Sequence, residues 1–145
     1  MVEHNVETIT LSARSQDIPK SFSKLALDMF NIVVDVEDID LVNTKTIIIR
    51  TRDIKNLLYQ FMKRLFDLAN NELFLLATVK SIVIEKVSNE YLLTAVILGD
   101  KMNQSYKVKD VVKQVTDRNI IVKEDKDGTL AQIDLIVKRR NKNEV

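Results

Sequence analysis

Apolar and polar residues alternate near the start of the chain. Between Val6 and Ala13, Ile9, Leu11 and Ala13 fall on one side and Thr8, Thr10 and Ser12 on the other, the period of a half-buried strand. Glu7 is in phase with the apolar side. The period then lengthens. Asp17 stands where a helix N-cap is needed, and Pro19 falls in the first turn, where its missing N–H costs nothing. Phe22, Leu25, Ala26, Met29, Phe30 and Val33 form an apolar stripe at helical spacing, predicting a helix that ends near Asp35. An acidic connection (Glu37, Asp38, Asp40) leads into "TKTIIIRTR", whose β-branched run reads as a strand. Asp53 then caps a second helix with Ile54, Leu57, Leu58, Phe61, Met62, Leu65 and Phe66 on one face.

The remainder of the chain is dominated by strand signals. "VKSIVIEKV" and "YLLTAVIL", separated by Ser88, Asn89 and Glu90, predict an antiparallel hairpin, and Gly99 to Lys107 a polar loop. In "YKVKDVVKQVTDRNIIVKE" the valines fit a helical period, but their β-branching favours a strand, which is the expectation adopted. "EDKDG" is a turn in which Asp127 and Gly128 are expected to supply positive φ, and it feeds a last strand from Thr129 to Lys138. The end, "RRNKNEV", reads as a frayed tail. The expected architecture is one α+β domain over residues 1–138 with a basic tail over 139–145. Its order is β-α-β-α followed by a meander, with both helices on one face of a mixed or antiparallel sheet.

Composition narrows the function. A chain of 145 residues with 46% hydrophobic and 30% charged residues is expected to fold as one ordinary globule. Its 22 basic and 21 acidic side chains leave a net charge of +1, so no global field recruits nucleic acid or membrane. The sequence contains no cysteine, which removes disulfides, thiolate metal sites and cysteine nucleophiles. With two glycines and one proline it cannot build a glycine-rich phosphate loop. No apolar run approaches the roughly 18 residues of a membrane span, and no export signal opens the chain, so a cytoplasmic location is expected.

Candidate chemistry centres on Asp134, set in the strand-like run "LAQIDLIV". An ionised carboxylate buried in a sheet costs several kcal/mol unless it is paired or hydrogen-bonded. Asp134 shares its side of the strand with Leu130, Gln132 and Ile136, while Ala131, Ile133, Leu135 and Val137 take the other. Spacing alone leaves open whether it is solvated or serves a site. Glu7 poses the same question at the other end of the chain. With Lys113 these acids could form an ion cluster, and with His4 an oxygen-rich cation site, although His4 taken alone reads as a surface histidine. Arg118 and the basic stretch Lys138–Lys142 could touch RNA phosphates, but a terminal Lys/Arg run is more often a solubilising tail. No nucleophile and base occur together in a recognisable motif, which argues against a stand-alone hydrolase.

At these residues the order of segments resembles the archease family. "EHNVE" is similar to the family's opening E/D-H-T-A-D, and "SFSKLALDMFNIVVD" to its first helix through Phe22, Ala26, Met29, Phe30 and Asp35. "DIKNLLYQFMKRLF" resembles the second helix, "VKDVVKQVT" the stretch I-K-x-E-V-K-A-V/I-T-Y, and "AQIDL" the closing hydrophobic strand that ends in Asp-Ile. The resemblance spans about the whole chain. It implies a small α+β accessory protein of the RtcB-type RNA-splicing ligase, which joins tRNA exon halves. Such a protein is not itself an enzyme. It promotes guanylylation of the ligase by GTP, which the ligase handles, and so permits repeated turnover. Carried over by position, the family's acids fall on Glu7 and Asp134 and its lysine on Lys113, with a divalent metal such as calcium held between the acids. A rival alignment places Ile136 at the closing position. Departures are Glu7 for Asp, Lys63 and Arg64 where acids are common, and Asp117 and Arg118 for Tyr-His/Ser; they make the site more basic. An RNA- or protein-binding adaptor with a chaperone-like role on the same fold is the alternative.

Overall fold

The computed structural model describes residues 5–140. β1 (Val6–Ser15) leads into α1 (Ile18–Val33), and a single 3-10 turn at Val36–Asp38 precedes β2 (Asn43–Thr51) and α2 (Ile54–Glu72). Five strands follow: β3 (Phe74–Val87), β4 (Glu90–Lys101), β5 (Val111–Val115), β6 (Ile121–Asp125) and β7 (Gly128–Lys138). The helix starts form as the side chains dictate. The Asp17 carboxylate accepts the Lys20 N–H at 2.8 Å and that of Asp53 accepts the Asn56 N–H at 2.7 Å, each satisfying one of the donors a helix start leaves open.

The α+β class and the β-α-β-α opening are as expected, but the strands divide between two antiparallel sheets. One has the order β2-β4-β3; in the other β7 is flanked by β1 on one side and by β5 and β6 in tandem on the other. The expected meander breaks between β4 and β5: both edges of β4 are already taken by β2 and β3, and β5 pairs with β7 in the other sheet. The helices lie on the inner faces of both sheets. α1 packs on β1, β7, β5 and β3, and α2 on β2, β3, β4 and β5. Phe22, Leu25, Ala26 and Met29 of α1 and Leu57, Leu58, Phe61, Met62 and Leu65 of α2 meet Ile47, Leu93 and Ile97 from one sheet and Ile133, Leu135 and Val137 from the other. The Phe22 and Phe61 rings stack with centroids 6.1 Å apart at the centre of this core. Among the described residues no helix is long and apolar enough to cross a membrane.

Three local expectations are corrected. The strand predicted through residues 106–124 is two short strands separated by a loop at Thr116–Ile120, and residues before Val111 are not strand. Only Gly128 of the last turn has positive φ, at 122°; Asp127 does not. Arg139 and Arg140 are not frayed: the Arg139 N–H donates to the Asn5 carbonyl at 2.9 Å and the Arg140 N–H to Asp110 Oδ1 at 2.8 Å. His4, residues 141–145 and with them Lys142 lie outside the described residues.

Candidate functional site

β7 is the spine of its sheet. Its pairing with β1 is unbroken from Val6–Lys138 to Ser15–Thr129. On its other edge β5 covers Leu135–Lys138 and β6 covers Gly128–Gln132. Asp134 sits where one neighbour has ended and the other has not begun.

The loop between β5 and β6 fills that break with hydrogen bonds that a strand would otherwise make. The Asp134 carbonyl accepts the Thr116 N–H at 3.2 Å and the Thr116 hydroxyl at 2.7 Å, and the Asp134 N–H donates to the Arg118 carbonyl at 3.1 Å. Its side chain is equally engaged. Thr10 Oγ1 donates to Oδ1 at 2.6 Å and Asn119 Nδ2 to Oδ2 at 2.8 Å, leaving Asp134 5% exposed. A buried carboxylate with both oxygens hydrogen-bonded is stable without a counter-ion. The solvated reading does not hold, because Asp134 is buried with hydrogen-bond partners. Asn119 is itself held in the left-handed region (φ 55°), which asparagine tolerates, and its carbonyl accepts Gln132 Nε2 at 3.2 Å. Together with Lys55, Asn56, Tyr59, Asp117 and Ile120 it lines a polar cleft between this loop and the first turns of α2.

Glu7 belongs to a different environment. In the unbroken β1–β7 ladder Glu7 stands opposite Val137 and Thr10 opposite Asp134. Paired residues share a face and successive residues alternate, so an odd separation places Glu7 and Asp134 on opposite faces of the sheet. The Glu7 carboxylate instead accepts Arg139 Nε at 2.6 Å, and Arg139 Nη1 donates to Asp110 at 3.1 Å. These bonds, Glu7 foremost, hold the Arg139 guanidinium above its ordinary range, and the Arg140 N–H, followed by Arg139, holds the Asp110 carboxyl below the usual carboxylate range. Lys113 lies at a bulge in β5, between Val112 opposite Val137 and Gln114 opposite Ile136, and is exposed.

The three residues expected to form one site do not bond to one another: Glu7 and Asp134 are on opposite faces, and the exposed Lys113 is hydrogen-bonded to neither. The geometry does not fit a cation shared by Glu7 and Asp134: they face opposite ways, one is bound by a guanidinium and the other by a hydroxyl and an amide. Among the described residues no group of three or more Asp, Glu or His could hold a metal ion. Sequence reasoning missed Thr10, Thr116 and Asn119, although the run Thr116-Asp117-Arg118-Asn119 carries the polar, turn-forming composition that could have marked a break in the strand.

These features define a small α+β protein in which two sheets enclose two helices and the last strand carries one internally satisfied carboxylate. The chain belongs to the archease family. It matches the Archease protein family (MTH1598/TM1083) over residues 4–135, so the match ends one residue after Asp134 and before Ile136. It is 27% identical over 129 residues to the protein archease of Thermococcus kodakarensis, covering 87% of this chain and 90% of that one. To the protein archease of Methanosarcina barkeri it is 25% identical over 133 residues, covering 91% and 90%. The solution structure of Methanobacterium thermoautotrophicum protein 1598 has the same fold, with a TM-score of 0.74, 19% identity, and coverage of 92% of this chain and 98% of that one.

Proposed function

We propose that this protein is a non-catalytic accessory factor of an RtcB-type RNA-splicing ligase in tRNA processing, which promotes GTP-dependent guanylylation of the ligase and so permits repeated turnover. The observation that carries this reading is the family match across residues 4–135, which spans both sheets and both helices. GTP and RNA belong to the ligase. This chain contributes a surface, on which the β5–β6 loop around Asp134 and the exposed Lys113 on β5 are the groups expected to matter. The end of the match just past Asp134 supports Asp134, not Ile136, as the counterpart of the family's closing aspartate. A metal bridging Glu7 and Asp134 forms no part of the proposal.

The test is the extent of GTP-dependent guanylylation of the cognate ligase with and without this protein. Wild type should raise it and Asp134→Ala should not; a ligase indifferent to wild type would overturn the proposal. An RNA-binding adaptor acting through the basic end draws less support, because the Arg139 side chain is bonded to Glu7 and Asp110 and that of Arg140 to the Val108 carbonyl at 3.1 Å. Salt-sensitive RNA binding lost on truncation after Val137 would revive it.

A further inference from the structure

We infer that Asp134 is a positioning residue: its carboxylate sets the conformation of the Thr116–Ile120 loop, and that loop, not the charge of Asp134, is what a partner meets. The part concerning a partner rests on the function proposed above; the dependence of the loop on Asp134 does not.

The placement of the carboxylate argues first. At 5% exposure, with each oxygen accepting a hydrogen bond from the protein, it is turned to the chain around it and away from solvent. Thr10 fixes it to β1, and Asn119 fixes the loop to it.

The loop has few other anchors. Between the end of β5 at Val115 and the start of β6 at Ile121 its described bonds to the sheet are those to the Asp134 main chain and carboxylate and the one from Gln132 to the Asn119 carbonyl. The loop also bonds itself, the Arg118 N–H donating to Thr116 Oγ1 at 3.1 Å. Asn119 holds a backbone conformation that a side-chain-bearing residue adopts at a cost of about 1 kcal/mol, offset here by the amide bond to Asp134. Without that bond the turn keeps, of its described bonds to the sheet, only the main-chain bonds to Asp134 and the one from Gln132.

What the loop presents is the cleft wall. Asp117 and Asn119 face Lys55, Asn56 and Tyr59 of α2 across the cleft, and Arg118 is exposed beside them. The side chains of Lys55, Asp117 and Arg118 make no hydrogen bond or ion pair among the described residues. A surface that alternates cation and anion in this way suits a hydrogen-bonding protein face better than a polyanion, which Asp117 would repel.

The decisive variants separate charge from hydrogen bonding. Asp134→Asn removes the charge but keeps an acceptor for Thr10, and its amide can donate to Asn119 once the Asn119 amide turns over. Asp134→Ala removes both bonds. Asn119→Gly deletes the loop's side of the bond at an exposed position while glycine keeps the left-handed backbone free of strain. Amide hydrogen exchange is read at Thr116, Arg118 and Asp134, beside guanylylation of the ligase. The expected result is exchange about tenfold faster or more in Asp134→Ala and Asn119→Gly, with Asp134→Asn within about threefold of wild type. Ligase stimulation should follow the same order. If Asn119→Gly and Asp134→Ala leave exchange unchanged, the positioning role is overturned. If Asp134→Asn keeps the protected loop yet abolishes stimulation, the charge itself is what acts, and the inference is again overturned. A wild-type protein that fails to stimulate overturns the proposed function alone, and exchange still decides the role of Asp134.

Discussion

Asp28 shows how a single carboxyl can weigh against the fold. It lies on α1, partly buried, and desolvation pushes its pKa up, an effect that nearby Lys24 offsets only in part. A carboxyl raised above its unfolded value favours the folded state only when protonated, so its penalty is present at neutral pH and is released as pH falls through the folded pKa. Asp28→Asn should therefore raise the melting temperature at pH 7 by about 1–2 °C, and the gain should disappear below about pH 4. Thermal melts of both proteins at several pH values check this; a variant less stable at pH 7 would contradict it. The same residue-by-residue logic explains what was legible of the site. The alternation of β1 puts Glu7 in phase with its apolar side, and it stands opposite buried Val137, whereas that of β7 leaves open whether Asp134 is solvated, and it is buried on the other face. What could not be read was that β1 and β7 are neighbours. Once they are, those two placements themselves keep the acids apart.

At the scale of elements, legibility followed local chemistry. Both helix starts were announced by aspartate caps that make the predicted bonds. The end of α2 was not announced, because its left-handed C-cap is Leu73 (φ 58°) where glycine would have been the signal. Nor was the strand "FLLAT" beyond it, whose continuous apolar run is indistinguishable from buried helix by period. The division of the β5–β6 region is marked locally only by the polar run Thr116–Asn119, and the partner that holds the loop there, Asp134, is tertiary. Two substitutions test these elements. Asp53→Ala should cost about 1 kcal/mol in urea unfolding, the ordinary worth of a cap. Gly99→Ala should cost more, about 2 kcal/mol or above, because a Cβ there would come 1.9 Å from the Leu75 carbonyl oxygen and 2.9 Å from Phe74 Cζ in the adjacent strand. Gly99 is needed for this close approach of β4 to β3, so a mild Gly99→Ala would show that the strands can separate there without loss.

For the whole molecule, the apolar stripes of α1 and α2 gave the core residues, but the number of sheets they serve is a global property. Each central strand, β4 and β7, has both edges taken, and the two helices supply the shared core that joins the sheets. The C-terminal end then matters more than a basic tail should, because Arg139 links the start of β1 through Glu7 to the segment before β5 through Asp110. The Arg139 and Glu7 side chains are 46% and 49% exposed, so solvent screening limits each contact, and Arg139→Ala should cost roughly 1 kcal/mol in total, or about 3–4 °C in melting temperature. A double-mutant cycle of Glu7→Ala with Arg139→Ala should return a coupling of about 0.5 kcal/mol, falling in high salt. The pH dependence has a definite sign. The Asp110 pKa is depressed in the fold, so its contribution is present above the unfolded carboxylate range and is lost as pH falls through the folded value. Part of that depression comes from Arg139, so the stability difference between wild type and Arg139→Ala should be full at pH 7 and shrink below about pH 4. A difference that stayed constant into acid would mean that Arg139 contributes packing alone, and that the ion pairs at this end of the sheet are incidental to closing the fold.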